Sequence, residues 1–177
     1  MNNMFLSFGG DLIFIRHGEN VIDSTTNNDF LLLTELGIKQ AERVKKIVNG
    51  NFDCVISSVS MRCVMTAQII MNGKNPIKDT RLLERGWGNK EHDGKETDDQ
   101  AKRRFIEFLK DVTKMYHEKR IIIVTHGSLI KLAQDVIENN CEKRKRVDNC
   151  DIIEYNRDGN KIVTKNVKLS RKKYIFS

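Results

Sequence analysis

Short apolar segments alternate along this chain with longer stretches that have the period of an amphipathic helix. The apolar segments are rich in Ile and Val and bounded by Gly, Ser or Asn, which is typical of buried strands. We predict strands at residues 11–15, 52–56, 121–125 and 151–155, and an alternating edge strand at 161–167. Helices are predicted at 34–49, 60–71, 97–117 and 128–139. This alternation predicts an α/β fold, a three-layer α/β/α sandwich with a mostly parallel central sheet.

The helix boundaries are indicated by capping residues. Thr34, Ser60 and Thr97 can each accept a hydrogen bond from the first turn of a helix, and Gly50 can end the first one. The apolar residues expected to face inward lie at helical spacing: Leu36, Ala41, Val44, Ile47 and Val48; Val64, Ala67 and Ile70; Ala101, Phe105, Phe108, Leu109 and Val112.

Length and composition fit a globular chain. With 177 residues, 39% of them hydrophobic, a single domain over 1–177 can bury a full core. No apolar stretch approaches the roughly 18 residues of a membrane span, and the first residues do not resemble a signal peptide. The four cysteines form no CxxC pair and are expected as buried thiols in a reducing cytoplasm.

The charge is basic and unevenly distributed. The net charge is +7, and residues 141–177 carry 11 Lys or Arg against 5 Asp or Glu. An anionic ligand is therefore plausible, whether a phosphate ester, a nucleic acid or a membrane surface. The basic clusters at 143–146 and 171–173 are expected mainly as solvated surface, with recruitment of a polyanionic substrate as the alternative. Nucleic-acid binding is not favoured because few aromatic residues accompany the charges.

Two predicted strands end in similar tripeptides. The first strand leads into Arg16, His17 and Gly18, and the strand at 121–125 ends in Thr125, followed by His126 and Gly127. Ligands of open α/β sheets bind beyond the carboxyl ends of the strands.

Arg62, in the first turn after the second strand, should reach the same edge of the sheet. Arg16, Arg62 and the two histidines would then form a cationic pocket for a phosphoryl group, which arginine forks bind and a neutral histidine can attack. Each tripeptide alone is more often structural. A metal site is less favoured, because two histidines without a third ligand at suitable spacing do not make one.

The motifs together resemble the histidine phosphatase superfamily, in the branch that contains cofactor-dependent phosphoglycerate mutase. They follow in order over about residues 11–155 and comprise RHGE at 16–19, LTELG at 33–37 with QA at 40–41, SSVSMRCVMTA at 57–67, LLERGWG at 82–88, VTHG at 124–127 and NCD at 149–151.

This resemblance implies roles for individual residues. His17 would be the nucleophile and form a phosphohistidine, and Glu84 would donate the proton to the leaving oxygen. The phosphoryl oxygens would be held by the remaining candidates: Arg16, Arg62, His126, Gly127 and Asn20. No metal and no cofactor are implied, and the arginines should favour the neutral form of His17.

The short segments between the motifs favour a phosphatase acting on a small phosphorylated metabolite. A mutase-type phosphoryl transfer and a catalytically silent phosphate-binding relative are the alternatives. Asn20 and Asp23 depart from the family pattern, and an acidic group at 23 would repel phosphate unless it points away. His92 is expected on the pocket rim and His117 exposed on a helix. Specificity is expected in the loops at 20–30, 85–99 and 139–148, and a homo-oligomer is possible.

Overall fold

A mixed sheet of six strands forms the centre of the protein. The computed structural model describes residues 9–23, 25, 28–85, 96–138, 146–156 and 161–165. The strands are β1 (Asp11–Arg16), β2 (Cys54–Ser57), β3 (Ile77–Lys78), β4 (Arg120–Thr125), β5 (Ile152–Tyr155) and β6 (Lys161–Lys165). The α-helices of the described residues are α1 (Glu35–Val48), α2 (Met61–Ile70), α3 (Asp98–Met115) and α4 (Gly127–Glu138).

The strand order places the predicted functional segments side by side. It is β3-β2-β4-β1-β5-β6, with β3, β2, β4 and β1 mutually parallel and β5 antiparallel to both of its neighbours. Ile122 of β4 pairs with Ile13 of β1 on one side and with Val55 of β2 on the other. Because these three strands run in the same direction, their carboxyl ends meet at one edge of the sheet. The mostly parallel sheet is confirmed.

The two faces of the sheet carry separate cores. Alternate residues of β1 show the division, because Ile13 and Ile15 pack with α1 and α2 whereas Leu12 and Phe14 pack with α3 and α4. On the second face the ring of Phe14 lies 6.1 Å from that of Phe105, centroid to centroid. Helices on both faces make the three layers that the alternation predicts.

The caps explain where the helices begin and end. The side chain of Thr34 accepts from the backbone N of Gly37, and Thr97 forms a capping box with Gln100. Asn49, with φ of 47°, ends α1 in the left-handed conformation. Ser60 precedes α2 as predicted, but its hydroxyl donates to Asp29 Oδ1 at 3.0 Å and makes no cap hydrogen bond.

Three short elements have no sequence prediction behind them. β3 has two exposed residues, and two 3₁₀ turns cover Asn28–Phe30 and Thr80–Leu82. The second strand begins at Cys54, two residues later than predicted. In the described part of the chain, no helix is both long and apolar enough to span a membrane.

Candidate active site

Four predicted residues meet in direct contact where β1, β2 and β4 end. Arg62, 1% exposed in the first turn of α2, is the centre of the group. Its Nε donates to His17 Nε2 at 3.3 Å, and its Nη2 lies 3.1 Å from His126 Nδ1 and 3.1 Å from Glu84 Oε2. Its Nη1 donates to the carbonyl of Asn28. The sheet edge therefore assembles four of the five predicted catalytic side chains.

The tautomer of His17 follows from its hydrogen bonds. Nδ1 lies 2.8 Å from the carbonyl oxygen of Gly18, and a carbonyl only accepts, so Nδ1 carries the proton. Nε2 faces Arg62, whose guanidinium only donates, so Nε2 holds a lone pair. His17 thus presents an unprotonated ring nitrogen to Arg62.

Burial keeps His17 neutral. The pKa of His17 falls from 6.5 to about 3, first because the side chain is desolvated and then because Arg62 and Arg16 repel a positive charge. The two arginines were expected to act in this direction. The larger contribution comes from burial, since His17 is only 3% exposed.

His126 is neutral for the same reasons. It is fully buried, and desolvation, the nearby His17 ring and Arg62 lower its pKa well below the usual value. Nδ1 accepts from Arg62, so the proton lies on Nε2, which is 3.1 Å from Ser58 Oγ. The rings of His17 and His126 are edge to face, with centroids 5.3 Å apart.

Glu84 lies at the open side of this group. Its side chain is 35% exposed and pairs with Arg62. The loop before it is fixed to the sheet, because Thr125 Oγ1 donates to the carbonyl of Leu82 at 2.8 Å. The carboxylate therefore stands between the buried histidines and solvent.

Arg104 on α3 supports the Glu84 loop and escaped the sequence predictions. Its guanidinium donates to the carbonyls of Arg81 and Glu84, the latter at 3.4 Å. Glu96 binds the same guanidinium from the other side, with Nη2 and Oε2 2.8 Å apart. Both side chains are largely buried, so this pair connects α3 to the loop through charge-assisted bonds.

Arg16 reaches the site from the end of β1. Its Nη1 donates to the carbonyl of Val147 at 2.7 Å, whereas its Nε is buried and has no acceptor among the described residues. Arg16, Glu84 and Gly127 line a cavity of about 440 Å³. A Cβ on Gly127 would lie 3.4 Å from Arg16 Nε, so the glycine leaves room beside the guanidinium.

A contact between two backbone segments explains the glycines of the first motif. A Cβ on Gly37 would lie 2.0 Å from the carbonyl oxygen of Glu19, and one on Gly18 would lie 2.5 Å from that of Gly37. Thr66 Oγ1 accepts from the backbone N of Gly18, and Gln40 Oε1 accepts from that of Glu19. The segment after His17 is thus held by α1 and α2.

Asn20 is not brought into the group. Its amide donates to the carbonyl of Val21 at 2.8 Å, so its role in phosphate binding stays a prediction. Asp23 points into its own loop, where Oδ1 accepts from the backbone and hydroxyl of Thr25. Asn149 is predicted only as part of a motif, yet it holds the backbone of His17, because its Nδ2 donates to the carbonyl of His17 at 3.0 Å.

Other predictions have different outcomes. The side chain of His117 is 58% exposed, as expected, although it follows the end of α3. Cys54, Cys63 and Cys150 are free thiols. The predictions for His92, for Cys141 and for most of the basic clusters lie outside the described residues.

A buried neutral histidine that faces an arginine, at the carboxyl edge of a mostly parallel sheet, is an arrangement that can bind and attack a phosphoryl group. The model of the histidine phosphatase superfamily, branch 1, matches residues 12–101 and 89–168. The chain belongs to this superfamily. No curated protein sequence matches it.

Solved structures share the fold. A phosphoserine phosphatase from Entamoeba histolytica, in complex with phosphoserine, has a TM-score of 0.71 at 22% identity, covering 90% of this chain and 98% of its own. A mycobacterial glucosyl-3-phosphoglycerate phosphatase has a TM-score of 0.67 at 16% identity, covering 88% of this chain and 96% of its own. At these identities the similarity concerns the fold.

Proposed function

We propose that this protein is a metal-independent phosphomonoester hydrolase that acts on a small phosphorylated metabolite through a phosphohistidine intermediate. The observation that carries the proposal is the fixed tautomer of His17, whose Nε2 lone pair faces the guanidinium of Arg62. A neutral imidazole whose unprotonated nitrogen lies beside an anion-binding side chain is a nucleophile for phosphorus.

In the first step Nε2 of His17 attacks phosphorus, and the bond from phosphorus to the ester oxygen breaks. The leaving oxygen takes the electron pair of that bond and a proton from Glu84, which enters this step as the carboxylic acid after taking up that proton from solvent. The product alcohol departs, which leaves a phosphohistidine and an ionised Glu84. The partial exposure of Glu84 suits this exchange of alcohol for water.

In the second step water attacks the phosphohistidine. Glu84 accepts a proton from the water, and the bond between phosphorus and Nε2 breaks with its electrons returning to the imidazole. Inorganic phosphate is released, and both side chains regain their initial states.

The cationic side chains would stabilise the transferred group. The buried Nε of Arg16 needs an acceptor, and a phosphoryl oxygen would supply one. Arg62 would exchange its contact with Glu84 for a contact with phosphate. A bound dianion would also favour a proton on His126 Nδ1, which turns that histidine into a second donor. Gly127 and Asn20 remain candidates for contacts to the same group.

The cavity is of the size expected for a small metabolite. Phosphoserine phosphatase and glucosyl-3-phosphoglycerate phosphatase, among the similar structures, act on compounds of this kind, as their names state. The free thiols of Cys54, Cys63 and Cys150 are in keeping with a cytoplasmic enzyme.

The test is hydrolysis of p-nitrophenyl phosphate in excess EDTA by wild type, His17→Ala and the matched control His117→Ala. We expect turnover in wild type and in the control, and none in His17→Ala. Rapid quenching should trap a phosphoenzyme that is labile to acid and stable to base. Turnover that EDTA abolishes, or that survives in His17→Ala, would refute the mechanism.

If no phosphoenzyme forms and no ester is cleaved, the chain is a silent phosphate-binding relative. Interconversion of phosphoglycerates with a bisphosphate primer, faster than hydrolysis, would instead identify a mutase.

A further inference from the structure

A buried hydroxyl lies beside His126, next to the ring nitrogen that does not face Arg62. Nε2 of His126 is 3.1 Å from Ser58 Oγ and 3.6 Å from Cys63 Sγ. The side chains of Ser58, Cys63 and His126 are all completely buried. The proposed reaction gives the hydroxyl of Ser58 no role, although Ser58 belongs to the motif at 57–67.

The direction of the hydrogen bond between His126 and Ser58 is fixed by Arg62. A guanidinium only donates, so His126 Nδ1, 3.1 Å from Arg62 Nη2, accepts, and the ring proton lies on Nε2. Nε2 therefore donates to Ser58 Oγ. Cys63 Sγ is farther away, and burial raises the pKa of its thiol, so the sulfur stays neutral and accepts only weakly. Ser58 is thus the main acceptor for Nε2.

The sheet itself holds Ser58 in place. Its backbone N donates to the carbonyl of Val124 at 2.9 Å, next to the pairing of Ser57 with Val124 between β2 and β4. Because Val124 precedes His126 by two residues, the hydroxyl and the ring are attached to adjacent strand ends. The backbone N of Ser60 also donates to Ser58 Oγ, at 3.4 Å, which restricts rotation of the hydroxyl.

The two partners of the His126 ring differ in what they do when phosphate binds. Arg62 belongs to the anion-binding group and would turn toward the phosphate, whereas Ser58 is fixed to the sheet. If Nδ1 of His126 takes up a proton, Nε2 still donates to Ser58, and that hydrogen bond becomes stronger because the donor is charged. Ser58 can therefore hold the ring in one orientation in both protonation states.

We infer that Ser58 is a positioning residue, which acts through His126 by holding Nε2 so that Nδ1 faces the phosphoryl group. This inference rests on the proposed function, which makes His126 a ligand of that group. Without the hydroxyl, the buried Nε2–H would lose its acceptor, and the ring would no longer be held in one orientation.

Proton NMR of the isotope-labelled protein tests the contact itself. Without phosphate, wild-type His126 should carry its proton on Nε2, and this proton should resonate downfield because it is hydrogen-bonded. His126→Asn identifies the signal by removing it. In Ser58→Ala the signal should shift upfield or be lost to exchange with water. It should stay in the matched control Ser57→Ala, because the equally buried hydroxyl of Ser57 donates to the carbonyl of Ser58 instead.

Hydrolysis of p-nitrophenyl phosphate measures the effect on the reaction. We expect kcat/KM to fall about ten- to a hundredfold in Ser58→Ala, because a misplaced ring stabilises the transition state less, and to change less than about twofold in Ser57→Ala. A proton on Nδ1 of wild-type His126 would overturn the inference, and this measurement needs no variant to fold. So would an unchanged signal in Ser58→Ala, or a kinetic loss no larger than in Ser57→Ala.

This outcome is separable from that of the proposed function. If wild type forms a phosphoenzyme and hydrolyses the ester while Ser58→Ala keeps its signal and its rate, only the role of Ser58 is removed. If wild type forms no phosphoenzyme, the proposed reaction is removed, and calorimetry with inorganic phosphate replaces the rate. Phosphate affinity should then fall about tenfold in Ser58→Ala and stay unchanged in Ser57→Ala. Equal affinities in the two variants would overturn the inference.

Discussion

At the scale of single residues, Glu84 is the group whose role depends most on the substrate. A proton donor speeds the departure of a strongly basic leaving group, such as the alkoxide of an alkyl phosphate. It has little effect on a leaving group that is stable as an anion, such as p-nitrophenolate. We expect Glu84→Gln to lower kcat for an alkyl phosphate by about 10²–10⁴-fold and to change p-nitrophenyl phosphate hydrolysis much less. Steady-state kinetics with both esters measures this, with the exposed Glu107→Gln as control. Equal losses on both esters would remove Glu84 from the proton-donor role.

Gly37 is the residue where packing reverses the usual preference of a helix. An alanine in a helix is normally more stable than a glycine by about 1 kcal/mol. Here the added Cβ would meet the carbonyl oxygen of Glu19 at 2.0 Å, so we expect Gly37→Ala to destabilise the protein by about 1–3 kcal/mol. Because Glu19 follows the proposed nucleophile His17 by two residues, activity should also fall.

Urea unfolding and ester hydrolysis measure both effects. Gly50→Ala is the control, since Gly50 has a φ of +69° but nothing within 4 Å of a Cβ. Its cost should be that of the left-handed backbone alone, about 1–2 kcal/mol, with activity retained. A stabilising Gly37→Ala would show that the two backbone segments can separate.

At the scale of secondary-structure elements, the sequence predicts correctly those features that depend on neighbouring residues alone. Thr34 and Thr97 begin their helices with the expected caps, because a cap needs only residues within one turn. Ser60 was predicted as a cap and instead binds Asp29, 31 residues away, a contact that no local pattern reveals. Arg104 escaped prediction for the same reason, since its guanidinium binds the backbone of a loop earlier in the chain. Glu96 in turn binds that guanidinium.

The support of the Glu84 loop by Arg104 makes a prediction about α3. Arg104→Lys keeps the charge beside Glu96 but loses the fork that spans the carbonyls of Arg81 and Glu84. We expect kcat for an alkyl phosphate to fall about ten- to a hundredfold more than kcat for p-nitrophenyl phosphate, because a displaced loop would misplace Glu84, the proposed proton donor.

A general loss of folded protein would lower both rates equally, so the ratio of the two rates isolates positioning. Arg81→Lys is the matched control. It alters the surface ion pairs with Asp79 and Asp111 and leaves the backbone carbonyl in place. An unchanged ratio in Arg104→Lys would mean that Arg104 only stabilises the fold.

At the scale of the whole molecule, parallel strands explain why the sequence predicted so much of the site. Residues that follow β1, β2 and β4 had to converge, whatever the detailed packing. What could not be predicted is how deeply they lie. Burial is set by both helical layers together, and it is the first cause of the lowered pKa of His17 and of His126.

Because His17 is buried in its neutral form, we predict that the free energy of unfolding decreases in acid. In the unfolded chain His17 binds a proton at a pKa near 6.5, whereas in the folded protein its pKa is about 3. Between these values the unfolded state binds more protons, so the free energy of unfolding decreases as the pH falls, by about 1.4 kcal/mol per pH unit for each such histidine.

Urea unfolding at about pH 7 and about pH 5 measures this loss of unfolding free energy. The loss should be smaller in His17→Asn than in wild type, and unchanged in the exposed His117→Asn. Equal losses in wild type and His17→Asn would mean that the folded protein protonates His17 as readily as the unfolded chain does, and His17 would then not be held neutral for attack on phosphorus.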